Sequence, residues 1–311
     1  MVQKSPKYRL TADLLLLTTA LFWGSAFVPC KIAAASLDPF LFNGLRFLLG
    51  ALPVIAVIGR RMGRLSRREI GGGILAGLVL FAASAFQQMG LALTTAGKAG
   101  FITGLYVVLV PFLLTAVWRQ RPGWAAWGAS VIAAVGLFLL SAEGQLTLAP
   151  GDSLVLVAAA LLALHVILIG QLVLWADPLR LAVVQYVACG LFNLPLGLTL
   201  GRDTLVALPG AWWAVLYTAV FSIGVGYTLQ NVAQRHAPPT DAAIIMSLEA
   251  VFAALFGWLL LDERLTPVQI VGCGLMLAGM ILAQLGVMRS SSPRPSSPPA
   301  YSELPERRTL E

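Results

Sequence analysis

The sequence predicts an all-α polytopic membrane protein, with ten transmembrane helices arranged as two inverted five-helix repeats. Three observations lead there: a composition too apolar for water, about ten apolar runs with basic loops on one side, and an internal match whose second copy reverses its loop charge. Of 311 residues, 58% are hydrophobic and only 11% charged, where a soluble domain carries roughly 25% charged residues. So few charges cannot cover a water-facing surface. An ordinary soluble enzyme, a disulfide scaffold and a disordered chain are excluded.

Apolar runs of about 20 residues, each long enough to cross ~30 Å of hydrocarbon, place helices near 12–35, 39–59, 70–93, 97–118, 123–142, 152–175, 178–201, 211–234, 240–261 and 267–288. The runs are continuous rather than alternating, so membrane strands are not expected. The basic start, from Met1 to Arg9, leads into an apolar run too long for a cleaved leader, and the first run reads as a retained helix.

Lysine and arginine accumulate on the cytoplasmic side of a membrane. With ten helices, sixteen of the 21 Lys and Arg fall on one side, among them Arg60, Arg61, Arg64, Arg67 and Arg68 in a single loop. Three, Lys98, Arg202 and Arg264, fall on the other, and Lys31 and Arg46 lie within helices. This predicts both termini in the cytoplasm and a multi-pass protein of the inner membrane. It also explains the net charge of +7 as anchoring, so nucleic acid is not expected as a partner. Residues 1–11 form a cytoplasmic N-terminus, and the Pro- and Ser-rich stretch 289–311 reads as a disordered cytoplasmic tail.

Residues 12–142 and 152–288 match each other. At an offset of 143, Gln87-Gln88 aligns with Gln230-Asn231, Lys98 with Asp241, Leu105 with Leu248, Arg121 with Arg264 and Gly136 with Gly279; at 139, Asp38-Pro39 aligns with Asp177-Pro178. An odd number of helices per repeat forces the second copy to enter the membrane from the opposite face. The basic loop Arg119-Gln120-Arg121 accordingly matches the acidic Asp262-Glu263-Arg264. Inverted repeats are typical of secondary transporters, whose sites lie between the halves near the midplane.

Trp23-Gly24-Ser25-Ala26-Phe27, Leu45-Arg46-Phe47-Leu48-Leu49, Thr95-Ala96-Gly97-Lys98-Ala99 and Tyr106-Val107-Val108-Leu109-Val110-Pro111 resemble first-half motifs of EamA-type transporters of the drug/metabolite transporter superfamily. Tyr227-Thr228-Leu229-Gln230, Pro239-Thr240 and Ser247-Leu248-Glu249-Ala250-Val251-Phe252 are similar to second-half motifs. The resemblance covers about residues 12–288. It implies ten helices in a basket-like bundle and export of amino acids or other small metabolites. One departure is visible: family members often carry Glu-Pro where this chain has Glu249-Ala250, so no proline marks a kink there.

The candidate substrate-binding residues are polar or aromatic groups at mid-membrane depth. Glu249 sits about nine residues into the ninth helix, where a charge costs roughly 2.5–3.5 kcal/mol and must face protein or water. It reads as a ligand for a substrate amine, a proton site, or a buried structural carboxylate. Arg46 could hold a substrate carboxylate bidentately, or pair permanently with Glu249. Gln87, Gln88, Gln230 and Asn231 read equally as cavity lining or as interhelical hydrogen bonds. Trp23, Tyr106 and Tyr227, with Tyr186, could form an aromatic wall. His165 reads as a core histidine or a relay. Lys31 and Lys98 read as snorkelling anchors.

Cys30, Cys189 and Cys273 lie in apolar stretches without metal-ligand spacing, and no metal site, cofactor motif or catalytic motif is recognisable. The chain therefore reads as a non-enzymatic secondary transporter that exports small metabolites by alternating access. Its partners are a small-molecule substrate and the lipid bilayer; a coupling proton and a homodimer are left open. The alternatives are an exchanger of phosphorylated or nucleotide-linked sugars, an intramembrane lipid-acting enzyme, and a non-transporting membrane scaffold.

Overall fold

A computed structural model describes residues 6–94, 96–120, 122–141, 150–261 and 266–290. Among them every regular element is helical. In order they are α1 (Pro6–Ala34), α2 (Pro39–Ile58), α3 (Arg67–Leu93), α4 (Ala96–Gly104), α5 (Tyr106–Ala116), α6 (Trp124–Ser141), α7 (Pro150–Leu172), α8 (Pro178–Leu200), α9 (Leu208–Tyr217), a π-helical stretch (Thr218–Tyr227), α10 (Thr228–Gln234), α11 (Pro239–Met246), α12 (Glu249–Leu261) and α13 (Pro267–Ser290). Eight helical spans are long and apolar enough to cross a membrane, counting α4–α5, α9–α10 and α11–α12 as continuous rods; α6 and α13 add shorter apolar stretches at Trp124–Leu139 and Pro267–Leu282. The expected loop 143–151 and tail 289–311 fall mostly outside the described residues, as do Arg121 and the acidic loop at 262–264.

Local chemistry fixes the helix starts. Asp38 and Asp177 are N-caps, each followed by proline at the first helical position, where its fixed φ and missing N–H suit the helix. Asp38 Oδ1 accepts from the Phe40 and Leu41 amides at 2.9 and 3.0 Å, and Asp177 Oδ1 from those of Leu179 and Arg180 at 3.0 and 3.1 Å. The repeated Asp-Pro is thus a repeated cap. Ser66 and Glu69 close a capping box, which starts α3 three residues ahead of its apolar run.

Contacts at the helix ends give their directions. Lys31 near the end of α1 meets the end of α3, donating to the Leu91 and Thr94 carbonyls at 2.7 Å each. Thr94 Oγ1 in turn donates to Asp152 Oδ1, at the start of α7, at 2.6 Å. At the opposite end of α3, Glu69 lies 3.6 Å from Arg180 at the start of α8. The start of α2 meets the end of α8, where the Asp38 amide donates to Thr204 Oγ1 at 3.1 Å. So α7 runs opposite to α1, and α8 opposite to α2. The packing has the same two-fold logic: α2 lies on α8 and α6 on α13, while α3 on α7 is mirrored by α1 on α9–α10.

Three expected continuous helices are interrupted. The fourth breaks at Leu105 and the ninth at Ser247-Leu248. Both breaks are tight turns, with Leu105 N–H donating to Ile102 O and Leu248 N–H to Ile245 O at 3.2 Å each; these are the same positions 143 residues apart. Neither needs a proline. Gly104 weakens the first helix, and the Ser247 hydroxyl donates back to Ile244 O at 2.8 Å, competing with the ladder. In the eighth, the wide turns of Thr218–Tyr227 replace α-helix. Carbonyls there accept from α1: Trp23 Nε1 donates to Ser222 O at 3.2 Å and Thr19 Oγ1 to Gly226 O at 3.1 Å.

Candidate functional site: a charged cavity between the repeats

Both helix breaks deliver a residue into one cavity. The residues that restart the helices, Tyr106 and Glu249, are repeat-equivalent, and both line it. α1 contributes Trp23, Phe27 and Cys30, α2 contributes Arg46, α3 contributes Gln87 and Gln88, α4 contributes Thr103, and α7 contributes Leu162, His165 and Val166; Ser222 and Tyr227 come from the π-helical stretch. The cavity has about 50 Å³ of room for the centres of water-sized molecules, enough for a few waters. A solute of that scale fits.

Glycine brings the walls together. A Cβ on Gly24 would lie 2.5 Å from Glu249 O and 2.6 Å from Phe252 Cβ, so α1 reaches α12 backbone to backbone beside Glu249. A Cβ on Gly226 would lie 2.7 Å from Trp23 Nε1, and the missing side chain makes the indole's seat. The Trp23 and Tyr227 rings then pack at 4.5 Å between centroids. Tyr227 also takes the His165 ring edge-on at 5.8 Å, and His165 Nε2 hydrogen-bonds Gln185 Oε1 at 3.0 Å.

The two charges of the cavity are not joined. Arg46, 5% exposed, donates from Nε to Asn43 Oδ1 at 2.9 Å and from NH1 to Cys30 Sγ at 3.2 Å. Its guanidinium lies over the Phe42 and Phe47 rings at 4.8 and 5.4 Å. Among the described residues no carboxylate pairs with it. Glu249 is 3% exposed. The Tyr106 hydroxyl lies beside its carboxylate without an aligned hydrogen bond, and both Tyr106 Oη and Glu249 Oε1 lack a partner. Stripping one partner from a buried ion pair costs about 3–5 kcal/mol, because the remaining charge is uncompensated. The guanidinium is met instead by Asn43, Cys30 and two ring faces, and the Glu249 carboxyl group meets no cation among the described residues.

Eight of the ten candidates therefore come together: Trp23, Arg46, Gln87, Gln88, Tyr106, His165, Tyr227 and Glu249. Gln230 and Asn231 do not. Gln230 Nε2 donates to Gln234 Oε1 at 2.9 Å, Gln234 Nε2 to Val166 O at 2.8 Å, and Asn231 Nδ2 to Pro178 O at 3.3 Å, so they tie α10 to α7 and α8. Tyr186 is buried off the cavity with its hydroxyl 2.9 Å from Thr228 Oγ1. Lys31 donates to the carbonyls that end α3. Thr103, Ser222 and Cys30 went unmarked because small polar residues in apolar runs read as packing. Thr103 accepts from Gln87 Nε2 at 3.2 Å, and the Gln87 candidacy was its one available signal.

The family model described as the EamA-like transporter family matches residues 10–142 and again 149–285. The chain belongs to this family. An uncharacterized transporter of Archaeoglobus fulgidus is 35% identical over 283 residues, spanning 90% of this chain and 87% of that one. A threonine/homoserine exporter of Escherichia coli K12 is 28% identical over 183 residues, 55% of this chain and 58% of its own. A crystal structure with 18% sequence identity shares the fold, at a TM-score of 0.76 over 91% of this chain and all of that one. As an EamA-like transporter the chain is a multi-pass membrane protein, and its cavity is where transport chemistry is to be sought.

Proposed function

We propose that this EamA-like transporter exports a small zwitterionic metabolite of the amino-acid class from the cytoplasm, with Arg46 receiving the carboxylate and Glu249 the ammonium. The observation that carries it is a buried guanidinium and a buried carboxyl group that line one cavity without pairing with each other. A bound zwitterion supplies each with its opposite charge at once. A plain amine or acid offsets one and leaves the other. Trp23, Phe27, Leu162, Val166 and Tyr227 surround an apolar or aromatic substituent, and Gln87 and Thr103 offer hydrogen bonds to a polar one. The name of the Escherichia coli relative supports the same substrate class.

Ten membrane crossings in two inverted five-helix repeats support alternating access around this cavity. The opposed directions of α1 and α7 and of α2 and α8, the matched breaks and the loop charges all favour that arrangement, in the inner membrane with both termini cytoplasmic. The sugar-phosphate alternative suits the cavity less. Arg46 is its one lining cation among the described residues, and the room is small for a nucleotide.

The test is counterflow in liposomes with a pool of neutral α-amino acids, each beside its N-acetyl and its decarboxylated form. Wild type should exchange some parent zwitterions and neither truncated form; Glu249→Gln should insert normally and exchange none. Equal exchange of the truncated forms, or wild-type rates with Glu249→Gln, would overturn the assignment.

A further inference from the structure

Far from the cavity along α1, where the helix begins, lies a second set of charges. Arg9 NH2 is ion-paired with Asp241, in the first turn of α11, and Arg9 Nε lies 3.3 Å from Asp13. The Asp241 side chain is 7% exposed. Beside the pair, the Tyr8 and His236 rings stack at 5.6 Å and 16°. These contacts join the first helix of the first half to the connection between α10 and α11 in the second. Loss of Arg9 would leave the buried Asp241 unpaired, whereas Arg9 keeps Asp13 when Asp241 is neutralised.

The position of α11 makes this pair mechanical. Its last six residues, Asp241 to Met246, lead to the break that restarts at Glu249, which lies about 12 Å from Asp241 at helical rise. From Thr240 to Met246 every residue is buried. A short rod thus has a charge pair at one end and a turn opening onto the cavity at the other. The first half repeats the rod: α4 leads to the break before Tyr106 and packs on α7. At the offset of 139 that relates the two Asp-Pro caps, Asp13 matches Asp152, which is buried in the first turn of α7 and accepts from Thr94 at the opposite end of the bundle.

We propose that the Arg9–Asp241 ion pair is a latch closing the cavity toward the end where α1 begins. The latch rests on the alternating-access reading above. Half-helix α11 is the moving rod, and the turn at Ser247-Leu248 is its hinge. Releasing the latch frees the rod to tilt and opens the cavity to that side alone.

Cys30 lines the cavity and reports access without any substrate. The full chain carrying Cys189→Ser and Cys273→Ala, reconstituted in liposomes and sorted by the exposure of an N-terminal tag, is labelled from each face with an impermeant maleimide. Asp241→Asn should raise Cys30 labelling about tenfold from the face where α1 begins, as loss of one charge-assisted bond shifts a two-state population. The opposite face should not gain. The exchange Arg9→Asp with Asp241→Arg should restore the parent rate. Unchanged labelling, an equal rise from both faces, or an exchanged pair that labels like Asp241→Asn would overturn the latch. Counterflow of amino acids on the same vesicles reads the transport proposal separately, so either idea can fail while the other stands.

Discussion

Adding one methyl group at Gly24 should separate the cavity's walls without touching a charge. An ideal Cβ there meets Glu249 O at 2.5 Å, Phe252 Cβ at 2.6 Å and the Ala253 amide nitrogen at 2.9 Å. Two of the three are backbone atoms, which no rotamer change can move. Ordinary carbon contacts lie near 3.5–4.0 Å, so α1 and α12 must part by about 1 Å for the methyl to fit. Such overpacking costs about 1–3 kcal/mol. The displacement falls on the residue that begins α12, and a misplacement of about 1 Å can cost on the order of a hundredfold where geometry decides turnover. Gly24→Ala should therefore fold with reduced thermal stability and lose most counterflow. Gly274→Ala in α13 is the control, because nothing lies within 4 Å of a Cβ there. It should match or slightly exceed wild type, as alanine favours helix over glycine. Equal melting temperatures and equal counterflow for the two variants would refute the close approach of α1 to Glu249.

Two further outcomes separate scaffold from site. Lys31→Met removes two donors from the carbonyls that end α3 and should lower unfolding stability by about 1.5–3 kcal/mol, the range for hydrogen bonds to a charged group; substrate half-saturation should stay unchanged, which a counterflow titration checks. Gln87→Leu, facing the cavity, should shift that half-saturation with little effect on melting, whereas Gln230→Leu should lower stability by roughly 0.6 kcal/mol and leave half-saturation alone; the reverse pattern would return Gln230 to the site.

Apolar run length and Asp-Pro caps carried much of the architecture, because each acts locally. The interruptions were hidden. Prolines within α1, α2, α5 and α8 leave those helices continuous, while the actual breaks fall after Gly104 and at Ser247, residues common in unbroken membrane helices. Depth along a helix was legible and direction around it was not. Arg46 and Glu249 sit at depths an arginine can bridge, yet the guanidinium turns to Asn43, Cys30 and two phenyl faces. Gln230 and Asn231 have the depth of cavity residues, but the wide turns of Thr218–Tyr227 shift the helical register ahead of them. Counting at 3.6 residues per turn through that stretch aims them at the wrong neighbour.

The repeat keeps geometry and varies chemistry, and transport needs that division. Both halves hold an Asp-Pro cap, a short rod and an i to i+3 turn at matched positions, so the frame can swap the conformations of its halves at little cost. At the restart positions the copies differ, with a phenol at Tyr106 and a carboxylate at Glu249. Symmetric chemistry there would give a ligand two equivalent poses and no fixed polarity. Under the proposed assignment, with the ammonium at Glu249 and the carboxylate at Arg46, a zwitterion has a single favoured orientation. Under the latch proposal the Arg9–Asp241 pair sets the cost of opening one end, and a substrate moves the balance only by its difference in affinity for the two states.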